Sequence, residues 1–192
     1  MDATHKGINS ATVTLNGVAS PYLCTGFRLP TESEWEYAYR AGGVAAFHTS
    51  VGNDGTISQT GSSPLDPNLD QVAWYRGNST ATYAGASDCS GWFTNSTTCG
   101  TQPGGGKEAS AWGLADMSGD VWEWCWDWYA TYPAGTVASP AQDPAGGTGS
   151  DRLIRGGSWN GGASHARAAN RDFNAPGNRY FNLGVRLARK LP

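Results

Sequence analysis

The apolar and polar positions of this 192-residue chain repeat regularly in only two places. Over residues 30–42, Trp35, Ala38 and Tyr39 recur at i, i+3 and i+4, which is one apolar face of a helix. Thr31 stands where an N-cap is needed, with Glu34 three residues on, the pairing of a capping box. Gly42 and Gly43 are expected to end the helix. Over residues 122–129 the period changes to two. Trp122, Trp124, Trp126 and Trp128 alternate with Glu123, Cys125, Asp127 and Tyr129, which predicts an extended strand with two unlike faces. Shorter patterns predict strands at 12–15, before an Asn16-Gly17 turn, at 153–154 and at 183–187. Residues 43–111 and 133–150 are rich in Gly, Ser, Thr, Asn and Pro and have no period. They read as ordered loops, the first anchored by Trp74-Tyr75 and Trp92-Phe93. No internal repeat occurs.

Composition narrows this picture. Gly is 27 of 192, charged residues are 15%, and there are 9 Trp, 8 Tyr and 5 Phe. A solvated helical bundle needs more charge and less Gly. A disordered chain would not carry so many aromatics. The length suits one domain, residues 1–192, with a single sizeable core. No apolar stretch approaches the 18 residues of a membrane span. Residues 1–10 have neither a basic start nor an apolar run, so no signal peptide is expected there.

Charge is uneven. The net value of −3 conceals eight basic residues and one acid, Asp172, within 152–192. These arginines stand singly among Gly, Asn and aliphatic residues. That spacing suits bracing of loops through carbonyls and carboxylates better than nucleic-acid binding. The four cysteines include no Cys-x-x-Cys pair, and the histidines are scattered at 5, 48 and 165, which argues against a zinc site. Cys89 and Cys99 bracket a polar insertion and can be read as a disulfide or as two thiols. Cys125, within the alternating Trp run, reads as a small buried hydrophobe. Asp116 and Glu123 flank Gly119 and Val121. Two carboxylates with backbone carbonyls offer hard oxygen ligands suited to calcium. Equally, Asp116 can shape the turn while Glu123 pairs with an arginine.

Four ordered blocks then stand out. They are Phe27-Arg28-Leu29-Pro30-Thr31-Glu32-Ser33-Glu34-Trp35-Glu36-Tyr37-Ala38, Trp112-Gly113-Leu114-Ala115-Asp116-Met117-Ser118-Gly119-Asp120-Val121-Trp122-Glu123-Trp124, Arg155-Gly156-Gly157-Ser158-Trp159, and Asn182-Leu183-Gly184-Val185-Arg186-Leu187. Together they resemble the formylglycine-generating enzyme (sulfatase-modifying factor) family, over about residues 27–189. The resemblance implies a C-type-lectin-like α+β fold, loop-rich with little regular secondary structure. It implies calcium at Asp116, Gly119, Val121 and Glu123. Relative to the family the chain is expected to be short at its N-terminus. The family's enzymes oxidise a substrate cysteine with a copper-binding cysteine pair placed shortly after the Gly-Gly-Ser block. Here residues 160–167 read Asn-Gly-Gly-Ala-Ser-His-Ala-Arg, and no Cys follows Cys125. Copper(I) requires soft thiolates. No copper and no catalytic residue are therefore expected, and a copper-dependent oxidase is disfavoured.

The segment from Gly156 to Gly184 also resembles the variable region of diversity-generating-retroelement variable proteins, which reuse this fold. Residues 155–186 are the candidate variable region. The resemblance implies adenine-directed change at scattered positions, which cannot yield Lys, Glu, Gln, Met or Trp. Residues 160–182 contain none of these five. The candidate ligand-binding residues are Asn160, Gly161, Gly162, His165, Asp172, Phe173, Asn174, Ala175, Tyr180, Phe181 and Asn182. They combine aromatic anchors with small adaptable polar residues, as paratopes do. Phe173, Tyr180 and Phe181 are hot spots if exposed and core if buried. The function this implies is non-catalytic binding of a macromolecular ligand, a protein or cell-surface component, by a domain displayed on a cell surface or virion. A fixed recognition or structural member of the enzyme family is the alternative.

Overall fold

The computed structural model describes residues 20–48, 67–91, 97–132 and 147–190. The strand expected at 12–15 and the Trp92-Phe93 anchor lie outside these residues. Helix α1 runs Glu32–Arg40 and has the expected capping box. Glu34 N–H donates to Thr31 Oγ1 at 3.2 Å, and Thr31 N–H donates to Glu34 Oε2 at 2.9 Å. The helix ends at Ala41, which adopts the left-handed conformation with φ 45°, and Gly42 follows at φ 86°. So the stop begins one residue before the glycines. A short helix α2, Pro67–Val72, leads into β1, Ala73–Trp74.

Strand β2 (Ser87–Asp88) pairs antiparallel with β3 (Thr98–Cys99), and β4 (Ser118–Gly119) pairs parallel with β1. The β1–β4 approach is so close that a Cβ on Gly119 would lie 1.8 Å from Trp74 O. With φ at 78°, this position requires glycine.

The main sheet has four strands, β5 (Trp122–Trp128), β6 (Arg152–Arg155), β7 (Asp172–Asn174) and β8 (Leu183–Gly184), in the order β7-β6-β5-β8. β5 is the alternating segment. Its alternation is real but inverted with respect to polarity: Glu123, Cys125 and Asp127 are buried, and Trp124, Trp126 and Trp128 are half-buried. The inward polar groups are satisfied. Glu123 meets Trp35 and Arg186, and Asp127 Oδ2 accepts the Glu32 N–H at 2.6 Å. Outside, the Arg152 guanidinium lies 3.7 Å from the Trp128 ring centroid. Between Trp124 and Trp128 the register with β6 shifts, and Trp126 N–H bonds Pro30 O at 2.8 Å instead. This ties the strand to the start of α1.

The strand expected at 183–187 is shorter. Only Leu183 and Gly184 pair with β5, and the chain bridges again at Ala188 with Arg28. In between, Arg186 turns inward to Glu123. One core cluster joins Trp35 and Tyr39 of α1 to Met117, Cys125, Leu153 and Ala168. A second gathers Phe47, Leu69, Val72, Ala73, Tyr75, Ala163 and Ala166. The arginines brace this frame as their spacing suggested, in the ion pairs Arg28–Glu34, Arg155–Glu36, Arg171–Glu32 and Arg186–Glu123.

Candidate functional site

β6 is followed by Gly156 and Gly157, both at positive φ, 95° and 80°. A Cβ on Gly157 would stand 2.9 Å from the backbone of His165 and Ala166. This turn drives Trp159 into the protein, where it is 2% exposed and packs with Cys89 and Cys99. Its backbone N–H donates to Asp120 O at 2.8 Å. Trp159 is thereby a fixed floor for the residues that follow.

Asn160 Oδ1 accepts from Ser158 Oγ at 2.7 Å and from Asn182 Nδ2 at 3.0 Å. Gly161 is tied by its carbonyl to Arg76 N–H at 2.9 Å. Gly162 precedes a short 3-10 turn, Ala163–Ala166, and a Cβ there would meet nothing within 4 Å. His165 is exposed, its ring 5.8 Å from that of Trp122. Phe181 is 67% exposed, and its ring centroid lies 5.5 Å from that of Trp159 with the planes tilted by 43°. Asn182 O accepts the Trp122 N–H at 2.9 Å, and Tyr180, 51% exposed, lies just before. These residues gather where β8 meets the start of β5.

The other candidates lie elsewhere. Asp172, Phe173 and Asn174 form β7, at the far edge of the sheet. Asp172 Oδ1 accepts the Phe173 N–H at 2.8 Å. Asn174 Oδ1 accepts the Ala175 N–H at 3.1 Å and also takes Asn178 Nδ2. Phe173 is 47% exposed, and its ring lies 4.4 Å from that of Tyr129. Three strand spacings separate β7 from β8, roughly 14 Å. Leu183 is level with Trp122, whereas Asn174 is level with Arg152 and so with Trp128. That offset adds roughly 20 Å along the strand. Asp172, at the other end of β7, is level with Ile154 and so with Trp124, so the eleven candidates form two patches separated by roughly 16 Å at Asp172 and roughly 25 Å at Asn174.

The second patch has members that the sequence reading missed. Tyr129 and Tyr132 are exposed and flank Arg171, whose guanidinium is 4.0 Å from the Tyr132 ring centroid and 5.3 Å from that of Tyr129. Tyr132 OH donates to Glu32 Oε1 at 3.2 Å. Burial, and then the Glu32 charge, push this phenol up to about 12. The alternating pattern assigns Tyr129 to the inward face with Glu123, Cys125 and Asp127. The strand ends at Trp128, however, and frees Tyr129 from that parity.

The acidic block is built on two left-handed residues, Asp116 (φ 55°) and Asp120 (φ 59°). Asp116 Oδ2 accepts Gly105 N–H at 2.6 Å, while its Oδ1 is buried without a hydrogen-bond partner. Glu123 is already engaged: Oε2 accepts Trp35 Nε1–H at 2.7 Å, and Arg186 Nε reaches both oxygens at 2.9–3.0 Å. Gly119 N–H donates to Gly156 O at 2.7 Å. Burial, with the nearby charges of Asp116 and Glu123, raises the Asp120 carboxyl above its ordinary value. Among the described residues, no group of three or more His, Cys, Asp and Glu side chains could hold a metal. The orphaned Asp116 Oδ1 is the buried oxygen of the block left open to a hard cation, because Glu123 is held by Trp35 and Arg186.

Comparison with known proteins completes the picture. Residues 4–191 match the sulfatase-modifying factor enzyme 1-like domain. The chain is 34% identical to the formylglycine-generating enzyme of Streptomyces coelicolor over 175 residues, 85% of this chain and 46% of that protein. Among solved structures it resembles Treponema denticola variable protein 1, at TM-score 0.62 and 34% identity, covering 85% of this chain and 47% of that one. It also resembles PvdO from Pseudomonas aeruginosa, at TM-score 0.57 and 25% identity, covering 86% and 53%. The chain thus spans about half the length of these relatives. Among the described residues, no helix is long and apolar enough to cross a membrane. With its four blocks seated around β5 and its irregular, loop-rich α+β sheet of C-type-lectin type, the chain belongs to the sulfatase-modifying factor enzyme 1-like domain family.

Proposed function

We propose that this domain is a non-catalytic ligand-binding variable protein, in which the lectin-type frame presents diversified residues between 160 and 182. The observation that carries this reading is the exposure of Phe173, Tyr180 and Phe181. Large aromatics held at a surface by neighbouring rings, among Asn, Gly and Asp, are what a recognition face requires. The likeness to a variable protein supports the same reading. Oxidase chemistry of the copper type lacks its ligands here, because residues 160–167 hold no Cys and His165 offers a single imidazole. The ligand is a protein or other cell-surface macromolecule, since engaging both patches means spanning roughly 16–25 Å. Display on a cell surface or virion follows from that role. Calcium, if bound at Asp116 and Glu123 with the carbonyls of Gly119 and Val121, would cross-link the loop that leads into β5, beside the patch at Asn182.

Sequencing the locus across many isolates tests the proposal. Substitutions should concentrate at the eleven candidate positions, while Trp159, Arg171 and Gly184 stay fixed, and a near-identical template repeat should lie beside a reverse transcriptase. Changes spread evenly over the chain, or a locus without repeat and transcriptase, would make this a fixed recognition member of the family. Formylglycine production from a sulfatase-type peptide with added copper would overturn the non-catalytic reading outright.

A further inference from the structure

The third buried cluster of the protein is Cys89, Cys99 and Trp159. Both cysteines carry free thiols and are shielded from solvent. Their placement follows from the β2–β3 register. Ser87 lies opposite Cys99 and Asp88 opposite Thr98, and Cys89 N–H donates to Thr97 O at 3.0 Å, continuing the ladder. Cys89 is therefore opposite residue 97, two residues from Cys99, and side chains two apart on a strand share a face. The thiols are a diagonal pair on the inner face of one hairpin. Cys99 is also held from its other side by a bridge to Thr80. Cys89 lies past the last bridge pair of β2, at the end of the ladder that its N–H closes on Thr97 O, and a shift of roughly 3 Å at that end brings a diagonal pair to disulfide geometry. The two remaining cysteines stand apart from this pair. Cys125 is in the α1–β5 core cluster, and Cys24 follows the Pro21–Leu23 turn near the N-terminal end of the described chain.

We propose that Cys89 and Cys99 form a disulfide that closes the 89–99 hairpin behind Trp159. The chemistry is thiol–disulfide exchange with a small-molecule disulfide such as oxidised glutathione. One protein thiolate attacks the small disulfide and releases one thiol. The second protein thiolate then displaces the other, leaving one intramolecular S–S bond and two reduced small thiols. Two electrons and two protons pass to the oxidant in all. Exchange takes place while the hairpin is open, during folding, because the packed pair is covered. Burial, and next the adjacent Cys89, push the Cys99 thiol up to about 12, so the closed hairpin holds little reactive thiolate. The bond would fix the strand pair against which Trp159 rests, and Trp159 in turn supports Phe181.

The experiment refolds the full chain from denaturant, once with oxidised and reduced glutathione and once with reductant alone. Chymotryptic cleavage after Trp92 or Phe93 leaves the two cysteines on separate peptides joined only by the disulfide. The expected result is a mass lower by two hydrogens, a linked Cys89–Cys99 peptide, and two alkylatable thiols at Cys24 and Cys125 after unfolding. Closing a loop of 11 residues should raise Tm by roughly 5–10 °C over the reduced chain. The reduced wild type is the reference, so no variant need fold. Four alkylatable thiols after oxidative refolding, a link to Cys24 or Cys125, or an oxidised chain no more stable than the reduced one would overturn the proposal.

Discussion

Replacing Phe181 by Ala tests whether an aromatic in the candidate variable segment is surface or core. Full burial of such a side chain contributes roughly 1.5–3 kcal/mol. Phe181 is 67% exposed and touches the frame mainly through the Trp159 ring. About a third of that burial is at stake, so Phe181→Ala should destabilise by roughly 0.5–1 kcal/mol. Trp159→Ala gives the contrast. This ring is buried against Cys89 and Cys99, and its removal leaves a cavity between β2–β3 and the sheet, so the loss should be roughly 3–5 kcal/mol. Urea unfolding followed by far-UV circular dichroism measures both. The midpoint should move slightly for Phe181→Ala and strongly for Trp159→Ala, with the m-value unchanged. In thermal melts the first change should stay within roughly 4 °C. A loss above 3 kcal/mol for Phe181→Ala would mean that the ring is core and the recognition face is misassigned.

Two further outcomes follow from the buried polar groups. His48 is buried between Glu108 O and Ser118 Oγ, each 3.3 Å from a ring nitrogen, and burial lowers its pKa below the ordinary 6.5. The unfolded chain then binds the proton first. The stabilisation is fully present above about 6.5 and is lost as pH falls toward the folded value. Urea midpoints should fall from pH 7 to pH 5 and fall less in His48→Gln; equal slopes for both chains would refute the assignment. For the acidic block, chelation should lower Tm and calcium restore it. At a hundredfold excess over Kd the gain is about 2.7 kcal/mol. Asp116→Asn should blunt this response, and an unchanged melt after thorough chelation would leave Asp116 and Glu123 as turn and ion-pair residues.

What the sequence revealed depended on how local the cause was. α1 was legible down to its capping box, because the signals lie within thirteen residues and act on one another directly. The period of β5 was legible as well, but not which face turns inward. Glu123 and Asp127 are buried because partners far along the chain, Arg186 and the Glu32 N–H, satisfy them, and no local pattern encodes those pairings. The same applies to the candidate binding residues. Their identities stood out as a mixture of aromatics and small polar groups, yet their division into two patches comes from β7 and β8 occupying opposite edges of the sheet. Strand order is a long-range property.

The proposed variability requires a segment that accepts change, and its bonding pattern suits that. The frame residues threaded through it point inward to charges fixed elsewhere: Arg155 to Glu36, Arg171 to Glu32 and Arg186 to Glu123. Breaking a buried pair of this kind typically costs about 3–5 kcal/mol, a large part of a domain's stability. The residues between them behave differently. Asn160, Asp172, Asn174 and Asn182 bond largely to one another and to their own backbone. Phe173, Tyr180 and Phe181 leave about half or more of their surface in solvent. Substitutions there release few interactions with the rest of the fold, so most should fall within about 1 kcal/mol. Within this segment the arginines and Trp159 therefore carry the ties to the fold, and the proposal expects substitutions between them to leave the domain folded.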